Sequence, residues 1–307
     1  MNAPPSGTSR GSALVLLFAL TFAWGFNWPM LKVVLAQMAP LHFRTWCLAG
    51  GAFGLFAIAA AHRQRLAVPP GQWGRLILIT LFNVTAWNVL VAYGVSLMDS
   101  GRASILGFTM PVWGVLMGRW FFGEELTLRH AFGLALGAAG LAFLLGGELG
   151  AAGHSPLGAG LMLAAAALWA VGVVLIKRWQ QLGMSATVFT AWQLLLGGIP
   201  VFLAVPFEEG SFSLLRLSLG PLLALTYNVA IAFIFSYWAW TRVVTTLPVL
   251  VSSLATLIVP VVGVFSGMLV LGERPSWTDF SALILVVAAV TAVLVPPRAA
   301  AGADRAR

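Results

Sequence analysis

The side chains of this 307-residue chain that could do chemistry inside an apolar setting are amides and aromatic rings, not paired acids or a nucleophile with its base. Asn27, Asn83, Asn88, Gln193 and Asn228 all fall within long apolar runs, where an amide left without a hydrogen-bond partner is costly. Trp24 and Trp28 are four residues apart, as are Asn83 and Trp87, and residues so spaced share one face of a helix. Rings beside amide donors suit a planar ligand with a polar end. The set extends by a fixed offset, since 145 residues separate Trp24 from Trp169, Asn83 from Asn228, and Tyr93 from Trp238. The candidate substrate-contacting residues are therefore Trp24, Asn27, Trp28, Asn83, Trp87, Tyr93, Trp169, Asn228 and Trp238. The competing use of such amides is as packing glue between helices. Trp and Tyr near span ends also form interfacial belts, which is the better reading of Trp46, Trp73, Trp120, Trp179 and Trp277.

The absences matter as much. No Asp or Glu stands in the middle of an apolar run, so a proton relay of the kind pumps use has no evident carrier, and a pH gradient is expected to accelerate little. Lys32, Arg44, Arg119 and Lys177 sit near run ends, where their heads can snorkel to water. Without a deep cationic pair, phosphate-bearing ligands are poorly served, whereas helix ends and amides could satisfy a zwitterion. The four histidines, His42, His62, His130 and His154, lie near loops, with no His-Glu-x-x-His and no phosphate-binding loop. No enzyme chemistry, metal or cofactor is expected. Cys47 is the single cysteine, which rules out an intrachain disulfide.

The elements that must position these residues follow from composition. With 60% apolar residues, 8% charged residues and a mean hydropathy of +0.94, a soluble globular protein cannot be built. Apolar runs of about 20 residues, enough to cross roughly 30 Å of hydrocarbon, are separated by charged or Gly/Pro-containing joints. They predict an all-α integral membrane protein with ten transmembrane helices, at 12–35, 41–61, 74–97, 102–122, 129–147, 156–177, 185–206, 217–240, 248–271 and 277–296. With the N-terminus inside, 12 Lys and Arg fall on the cytoplasmic side and 5 on the other, which places both termini in the cytoplasm. The net charge of +8 is spread over short loops rather than one face, so nucleic acid is not an expected partner. Fifteen arginines against two lysines hint at a GC-rich bacterial genome, hence a bacterial inner membrane.

Internal similarity organises the whole. Pro111-Val112-Trp113-Gly114-Val115-Leu116-Met117-Gly118, running to Gly123-Glu124, aligns 149 residues later with Pro260-Val261-Val262-Gly263-Val264-Phe265-Ser266-Gly267, running to Gly272-Glu273, with seven of fourteen positions identical. The chain divides into residues 1–150 and 151–307, two five-helix repeats, the second inverted because five is odd and followed by a short cytoplasmic tail. Inverted repeats are a building plan of secondary transporters, with the substrate site between the halves. Pro111 and Pro260 fit two uses, as hinges for alternating access or as fixed kinks. Gly114-x-x-x-Gly118 and Gly263-x-x-x-Gly267 read as internal packing seams, so a functional monomer is expected, with a dimer face the lesser use. Glu124 and Glu273 fall at turns, where they would cap or fix a loop.

Trp24-Gly25-Phe26-Asn27 early in the first run and the doubled Pro-x-x-Gly-x-x-x-Gly-x-x-x-x-Gly-Glu block resemble the EamA-type branch of the drug/metabolite transporter superfamily, over nearly the whole chain. Its bacterial exporters of aromatic amino acids are the most similar in pattern. One departure is that Trp169-Ala170-Val171-Gly172 has no counterpart to Asn27. The resemblance implies a secondary carrier that exports small amphipathic metabolites, foremost aromatic amino acids, by alternating access, with a small-molecule substrate and membrane lipid as its partners. Efflux of multiple drugs or hydrophobic cations is the alternative, and a passive channel-like protein a remoter one.

Overall fold

The computed structural model describes residues 10–123, 125–148, 155–210, 213–247, 251 and 255–294. Glu124, His154, Pro248, Arg298, Arg305 and Arg307 lie outside them. The described chain is helical because lipid offers no partners to a backbone, so each long apolar run must satisfy its own N–H and C=O groups. In chain order the helices are α1 (Arg10–Leu35), α2 (Pro40–Ala61), α3 (Trp73–Ser96), α4 (Ser100–Gly107), α5 (Met110–Phe122), α6 (Leu128–Glu148), α7 (Pro156–Trp179), α8 (Ala186–Ala204), α9 (Leu219–Val243), α10 (Ile258–Leu271) and α11 (Trp277–Leu294).

The expectation of ten transmembrane helices is corrected. Among the described residues, six helices are long and apolar enough to cross a membrane: α1, α2, α3, α7, α9 and the stretch Ala186–Phe207 that contains α8. The expected fourth span is broken into α4, of 8 residues, and α5, of 13, and among the described residues of the expected ninth the helix α10 has 14. At 1.5 Å per residue, 14 residues rise about 21 Å, short of the roughly 30 Å hydrocarbon core. Within the expected fifth and tenth spans, the described residues give apolar helical stretches over Leu128–Leu144 and Trp277–Ala292.

The cause is legible in the repeated block. Pro111 and Pro260 do not kink long helices but stand in the first turns of α5 and α10, where the missing N–H is no loss and a preceding turn cannot be continued. Gly123 (φ 66°, ψ 21°) and Gly272 (φ 67°, ψ 21°) then end both helices in the left-handed conformation, which favours glycine. Proline start and glycine stop fix both lengths.

Inside α1, Pro29 removes the N–H that would bond Gly25 O; Ser266 Oγ from α10 lies 3.4 Å from that carbonyl and 3.1 Å from Gly263 O, with one proton to give to either. Both α3 and α9 contain a widened π segment, Leu81–Ala86 and Asn228–Phe235. Side chains supplement the backbone there: Asn88 Nδ2 donates to Val84 O at 2.9 Å, Asn228 Nδ2 to Ala224 O at 2.9 Å and Ser236 Oγ to Ile231 O at 2.8 Å. The packing interlocks the two parts of the chain. α1 lies against α9 and α10, α7 against α3 and α5, α2 against α8, and α6 against α11.

Candidate functional site

Two helix crossings gather most of the expected site residues. Where α3 passes α7, Gly172 allows the backbones to touch, since a methyl group there would lie 2.6 Å from Asn83 Cβ and 2.9 Å from its Cα. Asn83 Nδ2 then reaches Trp169 O at 3.5 Å, the outer limit of a hydrogen bond. The Trp87 and Trp169 rings lie 6.2 Å apart with their planes at 54°. Asn83, Trp87 and Trp169 are thus brought together.

Where α1 crosses α9, Tyr227 OH donates to Ala23 O at 2.8 Å and Trp24 Nε1 to Ala232 O at 3.3 Å, a carbonyl within the π segment. The Trp24 ring lies 6.1 Å from Tyr237, edge-on, and 5.7 Å from Trp240. Trp24 and Trp238 pack on one buried cluster that includes Leu17, Leu20 and Val243. Trp238 also carries the Arg242 guanidinium 5.7 Å above its ring, a cation–π arrangement. An open groove of about 520 Å³ runs beside this crossing, lined by Ser12, Val15, Leu16, Trp238 and Arg242.

The remaining expected residues take other places. Trp28 is 5% exposed and fills the space over Gly107 and Gly263, where added methyl groups would come within 2.9 and 3.2 Å of its ring. It is a packing residue in this conformation. Asn27 has a buried Oδ1 with no partner, and the fully buried Asn228 has an Oδ1 in the same condition. Asn27 is one turn beyond Ala23 on α1, and Asn228 follows Tyr227 on α9. Trp113 Nε1 and Gln193 Nε2 are buried donors likewise without a partner. Tyr93 leaves the aromatic groups altogether and donates through its OH to Glu208 Oε1 at 2.5 Å.

That contact belongs to a seam between the parts of the chain before and after residue 150, and sequence reasoning missed it. Glu208 Oε2 accepts from the N–H groups of Leu41, at 2.9 Å, and His42, at 3.4 Å, and lies 3.0 Å from His42 Nδ1. Glu273 caps α4, accepting from Ser100 N–H at 2.7 Å and Gly101 N–H at 3.0 Å, so its expected turn-fixing role is met. Arg102 Nε donates to Asp279 Oδ1 at 2.6 Å, both side chains being 5% exposed. Ser218 N–H donates to Gln37 Oε1 at 2.9 Å. The partners are 115 to 181 residues apart, and no spacing rule could have joined them.

The expectation that Arg44 snorkels is corrected too. It is 2% exposed and donates through Nε to Asn88 O at 3.1 Å. Its place in the second turn of α2, after Pro40, was the available signal. Arg44 and Arg102 are thus both buried, each near the start of its helix. Among the described residues, no group of His, Cys, Asp and Glu is placed to hold a metal ion.

The model of the EamA-like transporter family matches residues 11–146 and again residues 156–295. The chain belongs to the EamA-like transporter family. It is a multi-pass membrane transporter and not an enzyme. Among its relatives, the uncharacterized transporter YoaV of Bacillus subtilis is 27% identical over 265 residues, covering 84% of this chain and 88% of that protein. A "probable amino-acid metabolite efflux pump" of Escherichia coli is 29% identical over 281 residues, covering 89% and 91%. A solved structure that is 20% identical superposes with a TM-score of 0.65 over 93% of this chain and 98% of its own. That likeness shows a shared fold.

Proposed function

We propose that this EamA-like transporter exports small amphipathic metabolites, foremost aromatic amino acids, from a bacterial cytoplasm across the inner membrane, with both termini on the cytoplasmic side. Residues 1–150 and 151–307 act as two half-molecules, set in opposite senses, that expose the site to each compartment in turn, and a single chain suffices. The double match of the family model and the interlocked packing of α1 with α9 and α3 with α7 support this division. Pro111 and Pro260, at matching helix starts, are the pivots.

The observation that carries the substrate class is the α1–α9 crossing. Trp24, Tyr237 and Trp240 form an aromatic wall there, and the same two helices carry Asn27 and Asn228, whose buried amide oxygens have no partner. A buried acceptor without a partner costs about 1–3 kcal/mol. An ammonium group would remove that cost while an arene packs on the rings, gaining about 0.5–1.5 kcal/mol per good pair beyond burial. The E. coli relative's name, an amino-acid metabolite efflux pump, points the same way.

Counterflow in proteoliposomes tests the reading. Labelled phenylalanine and tryptophan should exchange saturably and compete with one another, while leucine competes weakly. Flux that rises without saturation for every solute would sink it. The same aromatic wall also suits a hydrophobic cation. Competition by tetraphenylphosphonium stronger than by tryptophan would favour that second reading.

A further inference from the structure

The first turns of α1 have two apolar faces, and one of them is used inside the protein. Ala13, Leu17 and Leu20 are buried together with Ala239 and Val243 of α9. Val15, Phe18 and Phe22, spaced at i, i+3 and i+7, form the other face. They are 68%, 65% and 38% exposed, with the two phenylalanine rings 4.6 Å apart. On a helix that crosses a membrane, an apolar face left uncovered by protein meets acyl chains.

The groove of about 520 Å³ between α1 and α9 adjoins this outer face, because Val15 belongs to both. Leu16 and the Trp238 ring continue its apolar lining, and Ser12 supplies a hydroxyl. Arg242 brings the one charge among the described lining residues. Arg10, exposed, opens α1 two residues before Ser12 and adds a second cation at this end of the molecule. The volume lies within the roughly 300–1,000 Å³ of sites that hold small organic ligands.

Such a groove suits a molecule with an anionic head and an apolar tail. A guanidinium carries five N–H donors in its plane and pairs with phosphate through two of them at once. The Arg242 guanidinium lies 5.7 Å from the Trp238 ring centroid, and stacking of that kind engages its face, not its plane. A free inorganic anion would make no use of the apolar wall, and a lipid without net charge would make less use of Arg242. Basic pockets between spanning helices at headgroup level are where anionic lipids bind.

We propose that the α1–α9 groove binds one anionic phospholipid, with its phosphate on Arg242 and an acyl chain laid along Leu16 and Val15 toward Phe18 and Phe22. From Val15 to Phe22 the helix rises about 10 Å, which gives the chain a track along the outer face of α1. α1 and α9 fall in the two separate segments that match the family model, so the bound lipid bridges those segments and stabilises their crossing. Trp238, a candidate for substrate contact by repeat offset, thereby takes a different ligand. The site does not depend on which metabolite is carried.

Native mass spectrometry of the full chain reads the site directly. From micelles holding equal amounts of phosphatidylglycerol and phosphatidylethanolamine of one chain length, the protein should retain one phosphatidylglycerol in preference by about fivefold or more, the worth of one cation near a membrane surface. Arg242→Gln should bring that ratio near one, whereas Arg178→Gln, which removes an exposed cation at the end of α7, should leave it unchanged. Should Arg242→Gln fail to fold, Ser12→Glu sets a competing carboxylate into the groove at an exposed position in the first turn of α1, and must lower the ratio as well. A phosphatidylglycerol with a photoactivatable group in mid-chain should label the peptide that contains Val15 to Phe22. Equal retention of the two lipids by the unmodified chain, a preference that survives Arg242→Gln or Ser12→Glu, or labelling away from α1 would each overturn the proposal. Displacement of the lipid by millimolar phenylalanine would do so too, and would give the groove to the substrate.

Discussion

The α3–α7 and α1–α9 crossings start from matching residues and end as different joints. At the first, Asn83 reaches across to Trp169 O at 3.5 Å, and Gly172 lets the backbones meet. At the second, the corresponding Asn228 turns back to Ala224 O of its own helix, and its neighbour Tyr227 makes the cross-helix bond at 2.8 Å. The tryptophans diverge as well, because Trp24 donates to a π-segment carbonyl while Trp169 lends its carbonyl and its ring. The first joint is held by close packing, the second by directed bonds beside an open groove. The parts match at a 145-residue offset, and the residues next to them decide which interaction each part makes.

The largest expected effect attacks the packed joint. Gly172→Ala should lower stability by about 2 kcal/mol, as overpacking against backbone does, read as a fall in melting temperature in detergent. Gly160→Ala on the same helix, where a methyl meets nothing within 4 Å, should leave it unchanged or raise it slightly. Equal responses would mean the helices are not in contact at Gly172.

The bonded joint is broken next. Tyr227→Phe should cost about 1 kcal/mol, the net worth of one buried hydrogen bond, without altering the ring packing. An unchanged melting temperature would remove the distinction between the two joints. At the level of transport, Trp240→Leu should raise the KM for tryptophan by about fivefold, the loss of one good aromatic pair, with leucine competition unaffected. Trp87→Leu at the tighter joint should change KM less, and the reverse order would place the substrate at α3–α7.

The smallest effects on stability come from the amides themselves. Asn83→Leu loses only a bond at the limit of its length and should cost less than about 0.5 kcal/mol. Asn228→Leu removes a buried orphan oxygen, so the melting temperature should hold or rise while transport of phenylalanine falls. Equal transport by both variants would take Asn228 out of the site.

How far the sequence could be read differs by region. The six long helices begin and end within a few residues of the apolar runs because hydrocarbon thickness alone sets their length. The Pro111 and Pro260 block was visible as a repeat, yet its prolines suggested mid-span kinks. Reading each with Gly123 or Gly272 as start and stop of one short helix requires the positive φ at the glycine, which composition does not reveal. Of the candidate site, the Asn83, Trp87 and Trp169 group and the Trp24 and Trp238 group were accessible from repeat offset and helical spacing. Trp28 was not, because its burial depends on the small residues Gly107 and Gly263 on two other helices. The Glu208 cluster escaped because a carboxylate just past a span looks like a solvated turn until α2 and α3 fold over it.

The bracketed helices α5 and α10 have a mechanical meaning. A rod that can neither grow backward past its proline nor forward past its glycine cannot absorb a load by fraying or lengthening. Any tilt imposed on it must pass undiminished to the joints at its ends, Thr109 and Gly123 for α5, Leu257 and Gly272 for α10. Each is a strut of fixed length, so a swing at one of its ends arrives at the other as a lever stroke.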